Sequence, residues 1–195
     1  MHRDVSKMTD EVTIALGRAR EECNDLGLRG YGVVELRGPD GDLKHLEQFS
    51  NIITNQGDLY YATRAVALIG TPNIAQPTLV SRMKLGTNTT AVNKAAGTGI
   101  VIGAYISGSH IVFDTTHPTL NNLGTSLGVE AAYKTTWAAG VATNAAITEA
   151  GITSLVTDAV GVAADYISRT VFSAVNKGAL DSLAITWIHK FLGAP

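Results

Sequence analysis

Apolar and polar residues alternate with a period of two over most of this chain, and the pattern is clearest in its last quarter. The run 166–175, the turn Asn176-Lys177-Gly178 and the run 180–191 read as a β-hairpin. Gly178 is the residue expected to supply the positive φ of such a turn. On the second run Leu183, Ile185, Trp187, His189 and Phe191 share one face, which predicts a strand with a buried side. From Tyr31 the same period gives strands over 32–37 and 42–49, joined by Gly38-Pro39-Asp40-Gly41, where Pro39 presets φ and Asp40-Gly41 supplies the left-handed position. Further β-type runs fall at 79–85, about 100–114, 129–138 and 145–153, separated by Gly/Asn/Thr-rich connectors such as 119–125.

Two stretches break the rhythm. Val5, Met8, Val12, Ala15 or Leu16, Ala19, Cys23 and Leu26 recur at spacings of three and four, with Asp10, Glu11, Arg18, Arg20, Glu21 and Glu22 on the other faces. That is an amphipathic helix with a narrow stripe of small apolar residues. It starts near Thr9, with acids at the positive end of the helix dipole, and stops at Gly27 or Gly30. The stripe can pack on its own domain or lie on another subunit as a terminal arm. A second, short helix follows Asn55, with Asp58 completing a capping-box-like pair and Leu59, Ala62 and Val66 as its inward stripe. The expected fold is therefore mainly β: an antiparallel β-sandwich, jelly-roll-like, with about eight strands, an N-terminal α-helix and one short inserted helix. Residues 1–30 form the helical arm and 31–195 the sandwich domain.

Charge sharpens this division. Residues 1–50 hold 7 Lys/Arg and 10 Asp/Glu, against 8 and 7 in the remaining 145. The net charge of −2 gives no reason to expect a nucleic-acid or membrane surface. A body so poor in charge suits either strands that use Thr, Ser and Asn on their exposed faces or a subunit packed against neighbours. The single cysteine, Cys23, cannot form an internal bridge. The charged start is followed by no apolar signal-like run, and the most apolar stretch, 99–106, is far shorter than the ~20 residues that span a bilayer. The expectation is a soluble protein without a secretory signal.

Candidate chemistry is sparse. Gly97-Thr98-Gly99-Ile100-Val101-Ile102-Gly103 misses a dinucleotide loop because its last glycine falls one place late. Asp40 and Asp42 lack the further ligands of a calcium loop. His2, His45, His110, His117 and His189 show no close-pair metal spacing, and His189 is expected as a buried core histidine or an edge contact. No Gly-x-Ser-x-Gly elbow supports a serine nucleophile. Glu149, set among apolar residues, reads as a strand-edge or turn residue bound to local amides, because no second carboxylate stands nearby to form an acid/base pair. Trp137 and Trp187 read as core or interface anchors. The residues thus indicate no enzyme, no cofactor and no metal.

The phrases Asn51-Ile-Ile-Thr54 with Gly57, Met83-Lys-Leu-Gly-Thr87, Ala146-Ile-Thr-Glu-Ala-Gly-Ile152, Ser168-Arg-Thr-Val-Phe172 with Asn176-Lys-Gly178, and Leu183-Ala-Ile-Thr-Trp187 occur in an order that resembles virion structural proteins of tailed bacteriophages. The resemblance spans about 31–192. It implies a β-sandwich subunit located in the virion and assembled in the bacterial cytoplasm. The expected function is capsid decoration or minor capsid: a cement subunit, most simply a homotrimer, that binds the major capsid protein and stabilises the shell. A minor tail, baseplate or tail-fibre-associated role is the alternative. The expected interface is the helical stripe Val5, Met8, Val12, Leu16 and Ala19, acting as a tether. No nucleic acid, membrane or small-molecule substrate is implied.

Overall fold

The computed structural model describes residues 28–65, 77–94, 99–124 and 128–191. They form a mainly β structure with two antiparallel sheets and one α-helix. In chain order the elements are β1 Arg29–Arg37, β2 Leu43–Ile52, α1 Asn55–Ala65, β3 Arg82–Gly86, β4 Ile111–Val112, β5 Thr119–Asn122, β6 Val129–Trp137, β7 Asn144–Thr153, β8 Tyr166–Lys177 and β9 Ser182–Phe191. A five-stranded sheet runs β2-β1-β9-β6-β5 and a four-stranded sheet runs β4-β3-β7-β8. The N-terminal helix expected over residues 1–30 falls almost wholly outside the described residues.

Period-two alternation fixes which side chains meet. Val34 stands opposite Ile185, Leu36 opposite Leu183 and Gly32 opposite Trp187, while Tyr133 and Trp137 of β6 face Trp187 and Leu183 from the other side. These residues join Met83, Leu85, Ile147, Ile152, Phe172 and Val175 of the four-stranded sheet in one buried apolar cluster. Gly32 has no side chain because none fits: a Cβ there would lie 2.3 Å from the Thr186 carbonyl oxygen and 2.6 Å from the Phe49 ring. Phe49 instead packs edge-on against Trp187, with ring centroids 5.1 Å apart.

The sheets are also linked at their margins. After β2 the chain bridges from Ile53 to Ser168 of β8, and the Glu47 carboxylate accepts the Ser173 amide at 2.9 Å. On the other side Asp114 donates its amide to the Lys134 carbonyl, 2.8 Å, and its carboxylate accepts the Thr136 amide and hydroxyl. Edge groups of β8 and β6 are thereby occupied by the protein's own side chains, which blunts edge-to-edge pairing.

Three expectations need correction. The run 100–114 is a strand only at Ile111–Val112; upstream, Gly108 takes φ +76 and interrupts the ladder. The connector 119–125 contains β5, paired with β6. In the short helix the buried positions are Gly57, Tyr60 and Thr63. Of the stripe expected there, Ala62 is exposed, Leu59 only partly buried, and Val66 lies outside the described residues. The rotation follows from the cap, which is Thr54: its hydroxyl accepts the Gly57 amide at 3.0 Å, and Gly57 presses against the Ile167 carbonyl, where a Cβ would come within 2.2 Å. A fourth correction concerns the hairpin expected over 166–191: β8 pairs with β7 and β9 with β1 and β6, so the two strands lie in different sheets and the turn between them crosses from one sheet to the other. Gly41 has the positive φ expected of it, but Gly178 does not; Asp181 closes that turn by accepting the Gly178 amide at 2.8 Å.

Candidate functional site

Where β8 begins and β9 ends, the inner face carries a chain of polar groups. Trp187 Nε1 donates to Asn51 Oδ1 at 2.9 Å, Asn51 Nδ2 donates to Ser168 Oγ, and Ser168 Oγ lies 3.2 Å from His189 Nε2. His189 Nδ1 meets the Tyr61 hydroxyl, itself 2.9 Å from the Tyr133 hydroxyl. If Ser168 donates to Nε2, the hydrogen of the neutral ring sits on Nδ1 and is given to Tyr61, which in turn donates to Tyr133. His189 is fully buried, and burial pushes its pKa down to about 3, so the ring stays neutral at physiological pH. Burial likewise raises Tyr61, and Tyr133 to about 12.

A serine beside a histidine invites a nucleophilic reading. Ser168 and His189 have no solvent exposure, and their polar atoms are bound to Asn51 and Tyr61 as well as to each other. The pair holds α1 and β2 against β8 and β9. His189 is thus the buried, hydrogen-bonded histidine of the sequence expectation. Trp137 is a core anchor too, fully buried with its Nε1 donating to the Ser109 carbonyl at 2.7 Å.

The outer face of the four-stranded sheet holds the second polar cluster. Glu149 and Arg169 are both fully buried and form an ion pair, with Nε 2.8 Å and Nη2 2.7 Å from Oε2. Glu149 also accepts the amides of Asn88 at 3.0 Å, Gly103 at 3.1 Å and Ala104 at 3.0 Å, and Arg169 Nη1 donates to the Thr90 carbonyl at 2.9 Å. Glu149 therefore is not at a strand edge. It stands in an interior strand and binds amides from a distant connection, between 45 and 61 residues away in sequence. Arg169 was missed; its signal was a lone charge inside the otherwise uncharged run 166–175. Residues 99–103 of the glycine-rich stretch serve this pair as well, since Gly103 donates to Glu149 and Gly99 accepts from Arg169 at 3.4 Å.

Lys84, on the same face, is buried and donates to the carbonyls of Thr157 at 3.0 Å and Ala159 at 2.6 Å. Desolvation lowers its pKa. Asp158 between them accepts the Tyr105 hydroxyl, the Gly108 amide and the Ser107 hydroxyl. Those bonds, led by Tyr105, hold its carboxyl well below the usual range. The loop is fixed by charge, and its apolar side chains point outward: Val156, Val160 and Val162 are exposed, as are Leu79 and Val112. Arg82 pairs with both Thr153 and Val112, so all five lie on or near connections at one end of the four-stranded sheet. This apolar rim is the candidate interaction surface.

Among the described residues no group of three or more His, Asp and Glu could hold a metal ion. His45 lies 3.2 Å from Glu47 and His110 3.5 Å from Asp158. No described helix is long and apolar enough to cross a membrane. The expected interface residues Val5, Met8, Val12, Leu16 and Ala19 lie outside the described residues. No family model, no curated protein and no solved structure matches the chain.

Proposed function

We propose that this chain is a structural subunit of a tailed-phage virion that works by binding, as a decoration or minor capsid protein on the shell. In this reading the two sheets pack face to face as a jelly-roll-like sandwich, and three copies close around a local threefold axis of the shell, burying the apolar rim without leaving an open edge. The observation that carries it is the disposition of reactive groups. Ser168, His189, Glu149 and Arg169 are sealed inside and bound to structure, while the rim presents four valines and one leucine to solvent. A site built for turnover needs the opposite arrangement. The resemblance of the order of sequence phrases to that of phage virion proteins supports the biological setting.

The test is co-sedimentation of purified protein with virions lacking their own copy, followed by imaging of the particles. Saturable density on the shell supports the proposal. Density on the tail would establish the tail-component alternative, and binding to neither would overturn both. A Val160→Asp, Val162→Asp double variant should bind many-fold more weakly while remaining folded.

A further inference from the structure

Of the four strands that end the two sheets, three are blunted by cover, charge or brevity, the usual defences of an edge. β8 gives its Ser173 amide to the Glu47 carboxylate at 2.9 Å and its Ile167 carbonyl to the Thr54 amide at 3.2 Å. β2 carries Lys44, His45 and Glu47, and β4 is two residues long. β5, Thr119–Asn122, differs: it pairs with β6 on one side, and among the described residues no strand pairs with its other side. The cover that Asp114 lays along β6 reaches Thr136 and Lys134, and β5 takes over at Ala132. No Lys, Arg, Asp or Glu occurs from 115 to 129. Leu120 is 73% exposed, although it stands opposite Ala131, a member of the core cluster. Opposed residues of antiparallel strands point to the same face, so Leu120 belongs to the core face of its sheet. The principal packing partner of β5 is β6, while β4 of the other sheet packs against β6; at β5 the larger sheet overhangs the smaller one.

We propose that β5 pairs antiparallel with β5 of a second copy of this chain, about a two-fold axis perpendicular to the sheet, so that the two five-stranded sheets join edge to edge. Charge and parity select this occupant. Two uncharged edges meet without like-charge repulsion, whereas a basic or acidic partner finds no complement along 115–129. Because opposed residues share a face, a two-fold axis sets one residue against its own counterpart. With Leu120 on the axis, the two exposed leucines cover each other on the overhanging face, and Thr119 meets Asn121 of the partner subunit on the opposite face, polar against polar. The open main-chain groups of the edge supply the hydrogen bonds and Leu120 the apolar contact. Such a contact is isologous and closes at two copies. Four residues a side make a small interface, so the dimer dissociates on dilution. The rim lies on the other sheet, which makes this pairing independent of the virion proposal.

Sedimentation velocity of the full chain from about 1 μM to about 1 mM should show a reversible monomer–dimer equilibrium, and should show it equally in a Val160→Asp, Val162→Asp background that disrupts the rim. Leu120→Lys sets like charges face to face across the axis and should move the midpoint at least about tenfold toward higher concentration; circular dichroism reports its fold. The chain holds one cysteine, Cys23, so Cys23→Ser with Leu120→Cys leaves a single thiol at the axis. With oxidised glutathione it should form a disulfide-linked dimer many-fold faster than Cys23→Ser with Leu180→Cys, a position 69% exposed in the turn between β8 and β9. A chain that stays monomeric over the whole range, with Leu120→Cys linking no faster than Leu180→Cys, would overturn the proposal. So would an association that Leu120→Lys leaves unchanged, because the contact would then lie elsewhere.

Discussion

The outer faces of the two sheets carry different chemistry. On the four-stranded sheet, Glu149, Arg169 and Lys84 project outward and hold Asn88, Thr90, Gly103, Ala104, Thr157 and Ala159 of the connections through charge-assisted bonds to backbone groups. On the five-stranded sheet the outer row at the β1 entry is apolar and buried, Tyr31, Val33, Ala132 and Ile188. A charged face can be satisfied by irregular loops, because each carbonyl or amide offers one directed bond. An apolar face needs a continuous apolar surface, which an amphipathic helix supplies and a Gly-rich loop does not.

Breaking the ion pair should have the largest effect on the charged side. Arg169→Met leaves Glu149 buried without its cation and should cost about 3–5 kcal/mol in equilibrium unfolding, the usual range for removing one partner. Replacing both, Glu149→Gln with Arg169→Met, should recover part of that loss. Trp187→Ala tests the core shared by both sheets and should cost about 3–5 kcal/mol; an unchanged melting temperature would mean that the strand phase is wrong by one residue.

Acid should weaken the helix-bearing end next. The folded pKa of His189 lies below its unfolded value of about 6.5, so its contribution is fully present above that pH and is lost as pH falls toward about 3. Over this window the group alone removes about 1.4 kcal/mol per pH unit. His189→Gln, compared with the parent by urea unfolding from pH 7 to 4, should be less stable at pH 7 and fall less steeply; parallel curves would show that His189 takes up its proton without unfolding. The smallest effect belongs to the rim, where Val162→Ser should change stability by no more than about 0.5 kcal/mol.

The elements with the strictest alternation were legible in the sequence. The β1–β2 hairpin, the strands β8 and β9, and the inward set Leu183, Ile185, Trp187 and His189 follow from period two because each strand buries its inner face; that β8 and β9 part into different sheets does not. What could not be read was set by contacts distant along the chain. Arg169 finds Glu149 only when β7 and β8 pair, so a lone arginine carried no sign of its partner. The 100–110 stretch looks strand-like in composition, but its amides at Gly103 and Ala104 are taken by a carboxylate about 45 residues away. Thr54, not Asn55, caps α1, and the one-residue difference turned the helix onto Tyr60 and Gly57.

The account rests most heavily on the claim that buried charge holds the connections down on the four-stranded sheet. The direct measurement is amide hydrogen exchange of a Glu149→Met, Arg169→Met variant beside the parent. The amides of Asn88, Gly103 and Ala104, which Glu149 accepts, should exchange at least about tenfold faster in the variant, the effect of losing a hydrogen bond to a charged group, while those of β1 and β9 keep their protection. Unchanged exchange at those three amides would contradict it.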